Sequence, residues 1–433
     1  MTTYAVIGAG VAGLAAARAF LARGLDVEVF EAASGLGGIW DARRADSPVA
    51  RNTHVIASKG VQAFPEFPMP QDYPDYPGHE LVLRYLHAYA EEFDLVSRIR
   101  FDTAVARIEP APDGPDAGWV VTLADGTTRE FAGVVLATGH DRSPRRVEFP
   151  GEATIPVLHS IDYGHPEQVL GKRVLVVGAG QSAADILADC AVNAALTVHS
   201  SRRGFYCMPK YLLGRPTDTM LQGRMWRPLR RRASLSLFSY LRNRSRTYGL
   251  PVPDFSGGVV IPMLGDQLHH HYSHGDIVAK PGVVSIHDDL VTFTDGSEEK
   301  VDLVVLATGF VPDYPIVARA HLNWPDDAPG PGLYLHLFPP NTPNLFVVGM
   351  ARPIGSHWDV YAAQARLVAD YLVARREPAR VSAFEGALTR PQPELRAGIR
   401  LYHGDRYPLV VEKQEYLNQL RAHAKLLRGK DRS

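Results

Sequence analysis

The sequence predicts an α/β fold made of two Rossmann-like dinucleotide-binding domains, one inserted into the other. Three observations carry this expectation: a glycine fingerprint at the start of the chain, a second one at Gly178, and an apolar strand pattern ending in Ala-Thr-Gly once after each. A chain of 433 residues, 45% hydrophobic and 21% charged, also exceeds one minimal core, so two domains are expected.

The first fingerprint follows the apolar run Tyr4-Ala5-Val6-Ile7 and reads Gly8-Ala9-Gly10-Val11-Ala12-Gly13, leading into an alanine-rich helical stretch. The spacing has a steric reason. Gly8 allows the turn, Gly10 lets the backbone approach a pyrophosphate, and Gly13 lets the helix pack on the strand. The next apolar run, Val27 to Phe30, ends at Glu31, where a carboxylate accepts hydrogen bonds from an unphosphorylated ribose. Gly35-Leu36-Gly37-Gly38-Ile39-Trp40 is a second glycine cluster, read as a loop lining a flavin.

The second fingerprint is Val174 to Val177 followed by Gly178-Ala179-Gly180-Gln181-Ser182-Ala183, with alanine in place of the third glycine. Its next strand pattern, Ala195 to His199, leads to Ser200-Ser201-Arg202-Arg203-Gly204. No carboxylate stands there. Arg202 and Arg203 suit a 2'-phosphate, which points to NADPH rather than NADH.

The Ala-Thr-Gly runs end at Thr138-Gly139 and Thr308-Gly309, and prolines cluster at 144–166 and 312–315. They read as strands that close each sheet and pass the chain across. The expected division is therefore an FAD domain from 1–165 and 313–433, with an NADPH domain at 166–312 that carries a helical insertion at about 205–260. Arginines between Arg224 and Arg246 alternate with apolar residues there, as on a solvated helical cap.

A net charge of -1 argues against a nucleic-acid partner and for a small molecule. Cys190 and Cys207 form no CxxC pair, so neither a disulfide framework nor a zinc site is indicated. The histidine cluster His269-His270-His271 with His274 lacks a supporting carboxylate or cysteine, and no metal is expected. With no secretory pattern at Met1 to Tyr4 and no long apolar run, a cytoplasmic protein without a membrane span is expected. A homodimer is compatible with the sequence and not required by it.

Taken in order, the motifs resemble the class B flavin-containing monooxygenases, over nearly the whole chain. The resemblance rests on Gly8 to Gly13, Gly37 to Trp40, Ser58-Lys59 with Phe64 to Pro70, the paired Ala-Thr-Gly runs, Gly178 to Asp185, and Leu337 to Pro340 with Gly349, Gly355 and Gln364-Ala365-Arg366. It implies FAD and NADPH as cofactors, and adds Gly38, Trp40, Thr138, Gly355 and Gln364 to the cofactor-binding positions. It further implies that NADPH reduces FAD, that O2 adds at flavin C4a, and that the hydroperoxide passes one oxygen atom to a nitrogen or sulfur nucleophile. Ser58 and His357 are the candidates for a direct catalytic part.

Two departures from the family pattern stand out. The identifying motif keeps only His159 and Tyr163, within Ala153 to Tyr163. The asparagine that many members place three residues before the motif lysine is here Ile56, and Asn52 is too far upstream to replace it. Alternatives stay open at this stage: Baeyer-Villiger oxygenation of a ketone, an uncoupled NADPH oxidase, and a disulfide reductase that would need Cys190 and Cys207 to meet.

Overall fold

The structure is a computed structural model that describes residues 2–44, 46–202, 204–222, 247, 263–265, 267–401 and 408–427. Arg203 and most of the expected helical insertion lie outside the described residues. The part of that insertion inside them is not mainly helical: Cys207–Met208 pairs with Met263–Leu264, Tyr211–Leu212 pairs with Arg215–Pro216, and one helix covers Thr217–Gln222. Pro209 and Pro216 and the left-handed Leu213 interrupt any helical run there.

The first body is built from β1 (Thr3–Ile7), α1 (Val11–Leu21), β2 (Asp26–Phe30), β3 (Ile99–Arg100) and β4 (Gly133–Leu136). The second follows with β5 (Val157–His159), β6 (Arg173–Val177), α2 (Gln181–Asn193), β7 (Leu196–Ser200), β8 (Ile277–Lys280) and β9 (Leu303–Leu306). The chain then returns through β10 (Leu345–Val347) and α3 (Trp358–Ala374) to the first body.

The first sheet has the order β10-β4-β1-β2-β3 and the second β8-β7-β6-β9-β5, with every neighbouring pair parallel. Parallel sheets are covered on both faces, which explains the unbroken apolar runs of β4 and β9, each buried at every position. In both bodies a three-stranded antiparallel sheet, at 105–131 or 283–300, precedes the closing strand that ends in Ala-Thr-Gly. The two halves thus repeat one plan.

α1 packs against α3, and its alanines Ala12, Ala15, Ala16, Ala17 and Ala19 are all buried, so the small side chains let the returning helix seat closely. That contact joins the first and last thirds of the sequence. The chain crosses between bodies twice, and Ser143–Pro144 pairs antiparallel with Phe310–Val311, so both passages run side by side.

One expected boundary moves. β5 pairs with β9 inside the second sheet, through Val157 to Val304 and His159 to Leu306, so the second body begins well before residue 166. A three-residue strand after Pro156 is too short to carry a periodic signal, and its partner lies far along the chain. At the passage His159 is buried, with Nε2 donating to Gly309 O at 3.1 Å and Nδ1 accepting from the Ile161 amide at 3.2 Å. It is a neutral structural histidine that joins the two passages.

Candidate functional site

One cavity of about 670 Å³ is lined by Gly8 and Gly10 of the first fingerprint and by Gln181, Ser182 and Asp185 of the second. Both nucleotide motifs therefore open on the same space. The glycines make this geometry. Gly8 has φ of 106°, and a Cβ there would sit 2.6 Å from Ala137 O, just past the end of β4; one on Gly13 would sit 1.8 Å from Gly8 O. Gly38, on the wall, faces Gly10 so closely that its Cβ would lie 2.9 Å from the Gly10 Cα. The two glycine clusters together form a smooth floor that approaches a ligand with backbone alone.

Glu31 lines the cavity but is already engaged. Its carboxylate accepts from the Ala9 amide at 2.8 Å, the Ala33 amide at 2.9 Å and Arg44 Nη1 at 2.8 Å. It therefore ties the fingerprint loop to the end of β2 and keeps one acceptor direction for a ligand. Arg44 also pairs with Asp46 at 2.9 Å. Thr138 Oγ1, Ser160 Oγ and Gln62 Oε1 are buried along this cavity with no hydrogen-bond partner among the described residues. A buried orphan polar atom costs about 1–3 kcal/mol, so the cavity is built for a ligand with polar edges. Apolar Ile7, Ile56, Trp40 and Tyr361 line it as well, which fits a large flat ring system carrying a nucleotide tail.

At the second fingerprint the side chains serve the frame. Gln181 exchanges two hydrogen bonds with the Leu264 main chain, both at 3.0 Å, and donates to Asp185 at 3.1 Å. Ala183 is buried against the sheet, while Ser182 is exposed to the cavity and Gly180 has open space where a Cβ would stand. A Cβ on Gly178, by contrast, would lie 2.2 Å from Ala307 O, so that glycine is required by the fold. Arg202, just past the end of β7, is exposed.

Of the two expected catalytic residues, the structure brings one to the cavity. Ser58 does not line it: its amide and hydroxyl both donate to Asp218, at 2.6 and 2.9 Å. Gln364 is likewise structural, accepting from the Gly349 amide at 3.0 Å and donating to the Tyr416 hydroxyl at 2.7 Å. Gly355, with φ of 112°, turns the chain toward His357 without lining the cavity. His357 does line it, at the start of α3. Burial, with a smaller contribution from nearby His140, pushes its imidazole down to about 3, so the ring is neutral near pH 7.

Sequence reading missed the neighbours of His357. His140 and Asp141 follow the first Ala-Thr-Gly and line the same cavity. His140 Nδ1 donates to Gly349 O at 3.0 Å, and Arg352 Nη2 pairs with Asp141 Oδ1. Burial acts to raise the Asp141 carboxyl, but His140, Arg352 and His357 together hold it below the usual carboxylate range, and of these only Arg352 is cationic at neutral pH. Asp185 goes the other way. Burial raises it to about 6, against the hydrogen bond from Gln181. Among the described residues no group of three or more His, Cys, Asp or Glu is arranged to hold a metal ion.

The sequence profile described as flavin-binding monooxygenase-like matches residues 2–380. The chain belongs to that family. It is 31% identical over 385 residues to the N-oxide-forming dimethylaniline monooxygenase 2 of Rattus norvegicus, covering 84% of this chain and 71% of that one. To flavin-containing monooxygenase 1 of Mus musculus it is 30% identical over 414 residues, covering 90% and 75%. The fold is shared with S-allyl-L-cysteine S-oxygenase from Allium sativum, at a TM-score of 0.67, 22% identity, and 98% and 88% coverage. It is shared also with a steroid monooxygenase bound to NADP, at 0.70, 20% identity, and 98% coverage of each chain.

As a flavin monooxygenase the chain departs from its family at one point that the cavity makes visible. Ile56, which stands where many members have asparagine, lines the cavity, whereas Asn52 is exposed and reaches out to Asp189 at 3.3 Å. The retained Tyr163 also lines the cavity and donates to Asp189 at 3.0 Å. Among the described residues no helix is long and apolar enough to cross a membrane.

Proposed function

We propose that this flavin monooxygenase uses FAD, NADPH and O2 to place one oxygen atom on a nitrogen or sulfur nucleophile of a small molecule, with water as the second product. The observation that carries this reading is the single cavity bounded by both glycine fingerprints. Two nucleotides bound at the two fingerprints would share this space. Bound FAD, reduced by NADPH and reacting with O2, supplies the electrophilic oxygen.

The chain's own residues bind, orient and exclude water. Gly8, Gly10 and Gly38 present backbone to the FAD phosphates and ring, the N-terminus of α1 receives the pyrophosphate, and Glu31 with Arg44 fixes the nucleotide end. The N-terminus of α2 at Gly180 and Ser182 does the same for NADPH, with Arg202, and by sequence Arg203, toward its 2'-phosphate. Neutral His357 and Tyr361 wall the cavity without offering a strong base. A soft nucleophile attacks with its own lone pair and needs none.

The N-oxide-forming relative at 31% identity supports nitrogen. Two buried, unpaired thiols, Cys190 and Cys207, support a reducing compartment such as the cytoplasm; a homodimer is compatible with this reading. The deciding experiment feeds the FAD-loaded enzyme NADPH with tertiary amines, thioethers and cyclic ketones, and follows products by mass and hydrogen peroxide by a coupled assay. N- or S-oxides matching NADPH consumed support the proposal. Lactones or esters would replace it with the Baeyer-Villiger reading, and peroxide equal to NADPH with every substrate would make the protein an uncoupled oxidase.

A further inference from the structure

Gln62 sits on a turn whose ends are both fixed. Ser58 O accepts from the Val61 and Gln62 amides, each at 2.9 Å, while Ser58 itself is clamped by Asp218. Lys59 is held by its amide to Asp75 O at 2.7 Å and by Nζ to Gln71 O at 2.6 Å. At the far end the Phe64 amide donates to the Tyr85 hydroxyl at 2.9 Å, and the Phe64 ring stacks on Tyr89 at 4.0 Å. So many restraints on a short turn leave little freedom to the side chain it carries. That side chain lines the cavity, is 5% exposed, and has Oε1 buried without a partner among the described residues.

A glutamine in such a place is costly unless something else completes it. Ile56, which also lines the cavity, is apolar at the position where many family members have asparagine. We propose that Gln62 supplies a side-chain amide that the flavin ring meets in this protein, in a cavity where Ile56 offers none. Ser58 and Lys59 are then positioning residues, which act by holding the Gln62 turn. The inference rests on the flavin reading and deepens it.

The test uses the FAD-loaded enzyme and Gln62→Met, a substitution that keeps the side chain's length and removes its hydrogen bonds. The readouts are the visible spectrum and reduction potential of the bound flavin, and the hydrogen peroxide released per NADPH. Losing a hydrogen bond of ordinary strength predicts a displaced flavin band and about a threefold or greater rise in the peroxide fraction. Adding Ile56→Asn to Gln62→Met restores an amide to the wall and is expected to bring the peroxide fraction back toward wild type. An unchanged spectrum, potential and peroxide fraction in Gln62→Met overturns the proposal. If Gln62→Met does not hold FAD, Gln62→Asn serves as the second variant: its shorter amide is expected to displace the same flavin band, and an undisplaced band overturns the proposal equally. A wild-type protein that binds no FAD would instead overturn the flavin reading itself.

Discussion

Asp218 accepts two hydrogen bonds from Ser58, one from the backbone amide and one from the hydroxyl, across 160 residues of sequence. Ser58 belongs to the first body, and Asp218 opens a short helix that follows the second body's β7. Removing the hydroxyl alone, in Ser58→Ala, leaves the amide bond in place. The expected cost is about 1.5–3 kcal/mol of unfolding free energy, the range for a bond to a charged acceptor, read by denaturant titration. NADPH consumption should persist. An abolition of turnover with unchanged stability would return Ser58 to the catalytic group.

Two fingerprint glycines at different positions respond differently to alanine. Gly13→Ala would drive a Cβ into Gly8 O, and is expected to prevent FAD retention altogether. Gly180→Ala meets nothing within the protein. Its melting temperature should match wild type, while KM for NADPH rises by about tenfold because the added methyl stands where backbone must approach phosphate. A Gly180→Ala enzyme with normal KM would show that this helix end does not receive NADPH.

Arg202 is exposed at the end of β7, where a ribose of the second nucleotide is expected. Arg202→Ala should raise KM for NADPH by about tenfold to hundredfold and leave KM for NADH nearly unchanged, since only the former has the phosphate. Steady-state kinetics with both cofactors check this. Equal losses for the two would assign Arg202 to the fold.

Asp185 ties stability to pH. Its carboxyl is raised by burial from 3.8 to about 6, so the folded protein binds that proton more tightly than the unfolded chain. The contribution to stability is full below about pH 4 and is lost as pH rises through about 6. Asp185→Asn removes this titration. At about pH 7.5 the variant should be more stable than wild type by up to about 3 kcal/mol, with the difference vanishing near pH 4. Unfolding titrations without NADPH at both pH values decide it.

Much of the frame was readable because it is local. Tyr4 to Ile7 and Val174 to Val177 are continuous apolar runs of strand length followed by glycine turns, and both become central strands of their sheets. β5 was not readable, since its only signal is pairing with residues near 304. Ser58 looked catalytic because the carboxylate that binds it is 160 residues away. Gln364 looked like a ligand contact because a polar residue on a helix gives no sign that its partners are a backbone amide and Tyr416. The His140, Asp141 and Arg352 cluster brings together residues more than 200 apart in sequence, and only the Thr138-Gly139 turn beside it left a trace.

The side-by-side strands at Ser143–Pro144 and Phe310–Val311 bear on how the protein is made. All five strands of the second sheet lie between residues 157 and 306, so that sheet has every strand it needs once β9 has left the ribosome. The first sheet begins with β1 yet lacks its edge until β10 emerges, and lacks the helix that packs on α1 until later still. During vectorial synthesis, where domains fold as they emerge, the body that starts second is therefore finished first. The N-terminal half-sheet waits with an open edge, and the paired passages bring the late segment back beside it.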